Sequence, residues 1–243
     1  MTDISNLQTV KVAIADFIAV VTMDNPPVNA QNQQFHEDMM LVFDVLSDRA
    51  DVRSVVLTGA GKCFSAGADI KSRAGQQRAE GDHWQHSRRA RECFHAIMEC
   101  RKPVIAAING PALGAGLAVA ASCDILLAAE EARLGLPEIN VGLLGGGRHA
   151  MRLFGHSKTR RLMLTGQRLT GADLYRLGVV EECVPGDKLM EVAMELAAEL
   201  AAKSPIAIGL AKETLNAIEE SSLRDGYRYE QNKTSELSKY EDS

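Results

Sequence analysis

The chain has 243 residues, 46% of them apolar and 24% charged, enough to bury one substantial core. A net charge of −5 argues against a general nucleic-acid surface, and no apolar run reaches membrane-spanning length, because Asp124 and Glu130 interrupt the most hydrophobic region. The start, MTDISNLQTVKV, lacks the pattern of a secretory signal, and the cysteines (Cys63, Cys93, Cys100, Cys123, Cys183) include no C-x-x-C pair, so a cytoplasmic protein without disulfides or a zinc site is expected.

In chain order, Thr9 to Ile14 and Phe17 to Met23 read as a hairpin turning at Ala15-Asp16, and Asp24-Asn25-Pro26-Pro27 ends it. Phe35, Met39, Val42, Phe43 and Leu46 recur at helical spacing, which predicts a helix over 31–49 with those side chains in the core. Asp51 to Thr58 supplies the next strand. After it the chain turns at Gly59 and Gly61, runs through Cys63-Phe64-Ser65-Ala66-Gly67, and is expected to start a helix near Ala68. The polar, aperiodic segment from Lys71 to His83 reads as a mobile loop. His83, Trp84 and His86 follow it, and Ala90, Phe94, Ile97 and Met98 mark a helix up to Arg101.

Val104 to Ile108 is a short continuous apolar run, a buried strand stopped by Asn109-Gly110-Pro111. From Leu113 the small residues Gly-Ala-Gly-Leu-Ala-Val-Ala-Ala allow close backbone approach and start a buried helix. Such a turn points free N–H groups into one spot, which suits an oxyanion. Ile125 to Ala129 and Arg133 to Gly135 read as strands, with Pro137 and Glu138 next. Beyond Gly142 the character becomes helical: Gly145-Gly146-Gly147 leads a helix to Phe154, Ser157 caps another, and Thr170 with Asp173 resembles a capping box. Gly178 to Val184 is a last short strand, followed by helices over Asp187 to Lys203, Pro205 to Glu219 and from Leu223. The alternation from 9 to 142 predicts an α/β unit of ββα turns.

The stretches CFSAGADIK, NGPALGAGLAVAASCDI and LGLPEINVG together resemble the enoyl-CoA hydratase/isomerase (crotonase) family, in its order and at about its spacing, over nearly the whole chain. The resemblance implies an α/β spiral of ββα repeats, with a core over 1–190 holding the acyl-CoA site. It implies a helical C-terminal region over 191–243 through which copies associate as a homotrimer or homohexamer. It also implies a thioester enolate whose oxygen is held by the N–H groups of Ala68 and Ala115. Loss of one such donor typically costs about 10²- to 10³-fold in rate. Glu138, flanked by Leu136 and Ile139, matches the family's acid/base, and partial desolvation there raises a carboxyl's pKa. Val28, Ala30, Ala66, Asp69, Ile70, Leu113 and Gly114 are the implied substrate and CoA contacts. Coenzyme A is part of the substrate, so no separate cofactor or metal is expected.

Two departures qualify the resemblance. The other glutamate of the best-known hydratases falls at Ala118, which transfers no proton, and their second glycine pair is replaced by Arg148-His149, where Arg148 either enters the pocket or pairs with an acid such as Glu138. Hydration of a 2-enoyl-CoA is the reading the overall resemblance favours. A Δ3-Δ2 enoyl-CoA isomerase using one glutamate, a specialised decarboxylation or hydrolysis, and a non-catalytic acyl-CoA binder are the alternatives that Ala118 raises. Gly114-Ala115-Gly116 lacks the third glycine of a dinucleotide fingerprint, and Cys63-Phe64-Ser65-Ala66-Gly67 lacks the leading glycine of a nucleophile elbow. Cys63 reads as a packing residue, His83 as a solvated residue or a substrate contact, and Lys158, Arg160 and Arg161 as a solvated helix face rather than an RNA site.

Overall fold

A computed structural model describes residue 4 and residues 6–70 and 79–240. Most of the loop expected over Lys71 to His83, residues 71–78, lies outside the described residues. The elements in the first half are β1 (Val10–Ala15), β2 (Ile18–Met23), β3 (Ala30–Gln31), α1 (Gln33–Asp48), β4 (Ser54–Gly59), β5 (Gly67–Ala68), α2 (Asp82–Glu99) and β6 (Val104–Ile108). They continue with β7 (Pro111–Leu113), α3 (Ala115–Ala121), β8 (Ile125–Ala129), β9 (Arg133–Gly135), a 3-10 turn (Pro137–Val141), α4 (Gly147–Leu153) and α5 (His156–Thr165). The last are β10 (Arg168–Thr170), α6 (Gly171–Arg176), β11 (Glu182–Val184), α7 (Leu189–Ala201), α8 (Pro205–Ile218) and α9 (Leu223–Leu237).

The main sheet runs β1-β2-β4-β6-β8-β11, antiparallel only between β1 and β2. Ala15 pairs with Ile18, so the hairpin turns on Asp16 and Phe17, one residue later than expected. Both carry positive φ (51° and 64°), the geometry whose twist matches the strands it joins. The parallel strands are apolar on both faces, as strands covered on both sides must be. Val55, Leu57, Val104, Ala106, Ile108, Leu126 and Ala128 face a core shared with α1, α2 and α3. Their alternates Val56, Ile105, Ala107, Leu127 and Ala129 face Leu189, Ala193, Ala197 and Ala201 of α7, where Ser54 Oγ also donates to Ala197 O at 2.9 Å. The expected core of α1 is fully buried, and Asn32 caps it by accepting from Phe35 N at 2.8 Å.

Several elements differ from the sequence reading. No helix starts near Ala68: Gly67 and Ala68 form β5, paired in parallel with β3 through Ala30↔Gly67 and Gln31↔Ala68. The helix expected from Leu113 begins at Ala115, because Pro111–Leu113 is a strand paired with β9. Local apolar patterning cannot show these two- and three-residue strands, since long-range pairing alone makes them. Ser157 lies inside α5, whose N-cap is Gly155, whereas Thr170 and Asp173 do form a capping box. Among the described residues no helix is long and apolar enough to cross a membrane.

Candidate active site

The site is assembled from the short strands that leave the main sheet. Ser65 pairs in parallel with Ala112, and Leu113 N donates to Ser65 O at 3.0 Å. On one side, Ala66 N donates to Val28 O at 3.0 Å and β5 lies along β3. On the other, Gly114 N donates to Gly135 O at 2.9 Å and Leu113 pairs with Gly135, so the chain running on to Pro137 and Glu138 passes beside the start of α3. Val28, Ala30, Ala66, Ala68, Leu113, Gly114, Ala115 and Glu138 are thereby drawn together from four separate stretches. Val28, Ala66, Ala68 and Ile70 stand exposed on this face, while Asp69 N donates to Gln31 O at 3.0 Å and continues the pairing.

Glycines set the closest approaches. Gly67 has φ +88°, and a Cβ there would lie 2.5 Å from Leu113 O and 3.1 Å from Ala115 N. Only glycine lets its peptide rest against the start of α3, and this brings the backbone at Gly67, just before Ala68, close to Ala115 N. Ala115 is the first residue of α3, so no carbonyl one turn earlier in the helix takes its N–H. Gly114, at φ 56° and ψ −117°, sits where a Cβ would run into the Glu138 carboxyl, 2.8 Å from Cδ. Glu138 therefore closes directly over the backbone that leads into Ala115.

Glu138 belongs to the 3-10 turn and is half-buried. Among the described residues its Oε2 is buried with no hydrogen-bond partner, and burial pushes its pKa up, against a weaker lowering by its own backbone N–H. A partly buried carboxyl with few hydrogen bonds holds a proton closer to neutral pH than an exposed one, which suits it to take and return one. Ala118, at the position of the other hydratase glutamate, is 1% exposed inside α3. It brings no titratable group.

The residues that hold this geometry are ones the sequence reading passed over. Ser65, fully buried, donates from Oγ to Asn29 O at 2.7 Å and accepts from Gln31 Nε2 at 3.2 Å and Gly67 N at 3.3 Å. Asn29, at φ 52°, donates from Nδ2 to the carbonyls of Cys63 (2.7 Å) and Ala60 (3.1 Å) and accepts from Asn25 N at 3.1 Å. The available signal was a set of short polar residues among small ones at glycine turns, where such side chains bond nearby backbone. Arg148, offered above as a partner for Glu138, pairs instead with Glu220. His149 lies edge-on to Phe94, ring centroids 5.0 Å apart. Burial first, then Arg152, His95 and Arg148, pushes its pKa down to about 4, so its imidazole is neutral at neutral pH. His83 is exposed and edge-on to Trp84. Cys63 is buried, its Sγ donates to Pro111 O at 3.2 Å, and burial raises its thiol pKa, which fits a packing role and not a nucleophile.

The family model described as enoyl-CoA hydratase/isomerase matches residues 13–243. A protein of Mycobacterium tuberculosis named (7aS)-7a-methyl-1,5-dioxo-2,3,5,6,7,7a-hexahydro-1H-indene-carboxyl-CoA hydrolase is 38% identical over 222 residues, covering 90% of this chain and 89% of that protein. A probable enoyl-CoA hydratase of Bacillus subtilis is 34% identical over 241 residues, 98% of this chain and 93% of its own. The crystal structure of an enoyl-CoA hydratase from Bacillus anthracis superposes with a TM-score of 0.91 at 32% identity, covering 97% of this chain and 93% of that one. Sequence, fold and the meeting of the three signature stretches agree: the chain belongs to the enoyl-CoA hydratase/isomerase family and has the crotonase fold.

Proposed function

We propose that the protein is an acyl-CoA enzyme that forms a thioester enolate, with Ala68 N–H and Ala115 N–H donating to the carbonyl oxygen and Glu138 carrying the proton. In the hydration of a 2-enoyl-CoA, the Glu138 carboxylate takes a proton from water as the water oxygen bonds to C3. The C2–C3 double-bond pair moves to C2, the thioester oxygen takes the negative charge, and two fixed N–H donors stabilise it as it develops. Glu138 then returns the same proton to C2, which neutralises the enolate. One carboxylate thus serves as base and then as acid. The observation that carries the reading is the buried, unpartnered Oε2 of Glu138 packed onto Gly114, next to Ala115.

Ala118 favours a second reading, Δ3-Δ2 isomerisation. There Glu138 takes the proton from C2 of a 3-enoyl-CoA and delivers it to C4, and no water needs a second carboxylate to orient it. In either case the acyl-CoA is the ligand and coenzyme A arrives with it. Val28, Ala30, Ala66, Asp69, Ile70, Leu113 and Gly114 are the contacts proposed for it. The helical C-terminal region, residues 191–243, is the proposed region of association as a homotrimer or homohexamer, in a cytoplasmic enzyme of fatty-acid metabolism without nucleic-acid or membrane partners.

The test supplies 2-enoyl- and 3-enoyl-CoA thioesters and a dioxo-hexahydroindene-carboxyl-CoA to the protein and to Glu138→Gln, following water addition, double-bond position and hydrolysis separately. Hydration lost in the variant supports the first reading, and migration without hydration supports the second. Hydrolysis alone moves the assignment to the hydrolase activity named for the M. tuberculosis relative. CoA-thioester binding with no turnover overturns both readings.

A further inference from the structure

Glu138 sits on a segment with little packing of its own. None of the residues of its 3-10 turn is buried, and its last residue, Val141, and Leu143 and Leu144 after it are exposed. The segment leads into α4, whose start abuts the site: a Cβ on Gly146 would lie 2.7 Å from Leu136 Cδ2 and 3.5 Å from Gly114 O, and one on Gly145 would lie 3.8 Å from Glu138 Oε1. Near the far end of α4, Arg152 grips two other elements. Its Nη1 donates to the carbonyl of Ala121 at 2.6 Å, and its Nε and Nη2 donate to the two oxygens of Glu219, each at 2.8 Å. Ala121 is the last residue of α3, the helix whose first residue is Ala115. Glu219 caps α8, which is fixed to the core: Lys212, 6% exposed, donates to Asp124 at 2.7 Å and to Lys102 O at 3.0 Å, and Asn216 Nδ2 donates to Met98 O at 2.8 Å.

We propose that Arg152, held by Glu219, is a positioning residue for the reaction, setting the acid–base arm against the helix that presents Ala115. The inference rests on the functional reading above. A two-pronged guanidinium–carboxylate pair fixes orientation as well as distance, which a single ion pair does not. The Arg152 and Glu219 side chains are only 18% and 31% exposed, so water screens the pair less than the outlying Arg148–Glu220 contact, at 58% and 73%. A cleft of about 750 Å³, lined by Arg152, Glu219, Cys123, Leu126 and Gly178, flanks the pair. Once the fork is cut, the cleft leaves room on that side for the end of α4 to shift.

The experiment compares Arg152→Met, Arg152→Lys and Glu219→Gln with the parent, with Glu220→Gln as the control on the exposed pair. It measures kcat and KM on the enoyl-CoA that the parent turns over, the melting temperature, and the near-ultraviolet absorbance of bound acetoacetyl-CoA, which reports its enolate. A displacement near 1 Å costs about 10²-fold in rate. Arg152→Met and Glu219→Gln are therefore expected to lower kcat about 10²-fold with KM within about threefold, and to reduce the enolate signal of the saturated complex. Arg152→Lys, which keeps a charge but not the fork, recovers part of kcat, and Glu220→Gln leaves both readouts unchanged. If Arg152→Met does not fold, Glu219→Gln decides. Folded variants with parental kcat and a parental enolate signal overturn the proposal alone. A parent that gives neither turnover nor an enolate signal overturns the functional reading and the proposal with it.

Discussion

The two sides of the site are held in opposite ways. On the donor side, the backbones of Gly67-Ala68 and Gly114-Ala115 lie against each other with no side chain between them, and the buried Ser65 and Asn29 tie down the turns beneath. On the carboxyl side, Glu138 sits on a 3-10 turn without a buried residue, and among the described residues one of its oxygens has no partner. The contrast fits the tasks proposed for the two sides. Donors that stabilise developing charge work best when nothing must reorganise, whereas a group that picks up a proton at one atom and sets it down at another must stay dry and weakly bonded. Ground-state bonds to Glu138 would hold its charged form and lower the pKa that burial has raised.

The largest effect expected is on the carboxyl side. Glu138→Gln should lower kcat about 10³-fold, within the range for a lost acid/base group, without lowering the melting temperature, because Oε2 has no bond to lose. The ionised form starts the reaction, so kcat/KM should fall as pH drops through the Glu138 pKa. With that pKa raised, the acid limb lies above the ordinary carboxylate range. A limb at the pKa of an exposed carboxylate would show that Glu138 is solvated in the working enzyme.

The donor side should instead lose rate and stability together. Gly67→Ala forces an L side chain into φ +88° and puts Cβ 2.5 Å from Leu113 O. Separating Ala68 from Ala115 should cost about 10²-fold in kcat, as for one lost oxyanion donor. The backbone strain should cost about 1–3 kcal/mol in urea unfolding. A full loss of rate with unchanged stability would show that the glycine contact is not what holds the two peptides together.

What could be read from the sequence follows the same division. The parallel strands around Val56, Ile105 and Leu127 are continuous apolar runs, and the small residues from Leu113 mark close backbone approach, so the sheet and the tight turn before α3 were legible. The strands β5 and β7 were not, since nothing local in Gly67-Ala68 or Pro111–Leu113 distinguishes a paired strand from a turn or a helix start. The partner of Arg148 was invisible for a related reason. Glu220 is close only because Lys212 and Asn216 fix α8 on the ends of α2 and β8, a contact between distant parts of the chain. The support beneath those turns comes from Asn29 and Ser65, two polar residues to which the sequence reading gave no role of their own.

Ser65→Ala tests that support at smaller scale. It removes the donor to Asn29 O and the acceptor for Gln31 Nε2 and Gly67 N in a fully buried place. Leaving these groups without partners should cost about 1–3 kcal/mol in unfolding free energy. A loss of kcat of about tenfold, with Glu138's pH limb unmoved, would assign the damage to the donor side alone.

The smallest effect expected concerns His149 of α4, which is assigned to neither side. Its folded-state pKa of about 4 lies below the value near 6.5 of an unfolded chain. Below pH about 6.5 the unfolded state therefore takes up a proton that the folded state refuses, and stability is lost as pH falls toward 4. Partial exposure limits the effect to about 1–2 kcal/mol. His149→Phe keeps the aromatic contact with Phe94 and removes the titration, so its unfolding free energy should decline less than the parent's between pH 6.5 and 4. Its kcat at pH 7 should stay within about twofold, since a neutral imidazole packed on a ring adds no charge to the site. A fall beyond tenfold would instead make His149 a second proton carrier, filling the role left open at Ala118, and the single-carboxylate account of hydration would give way to a two-group one.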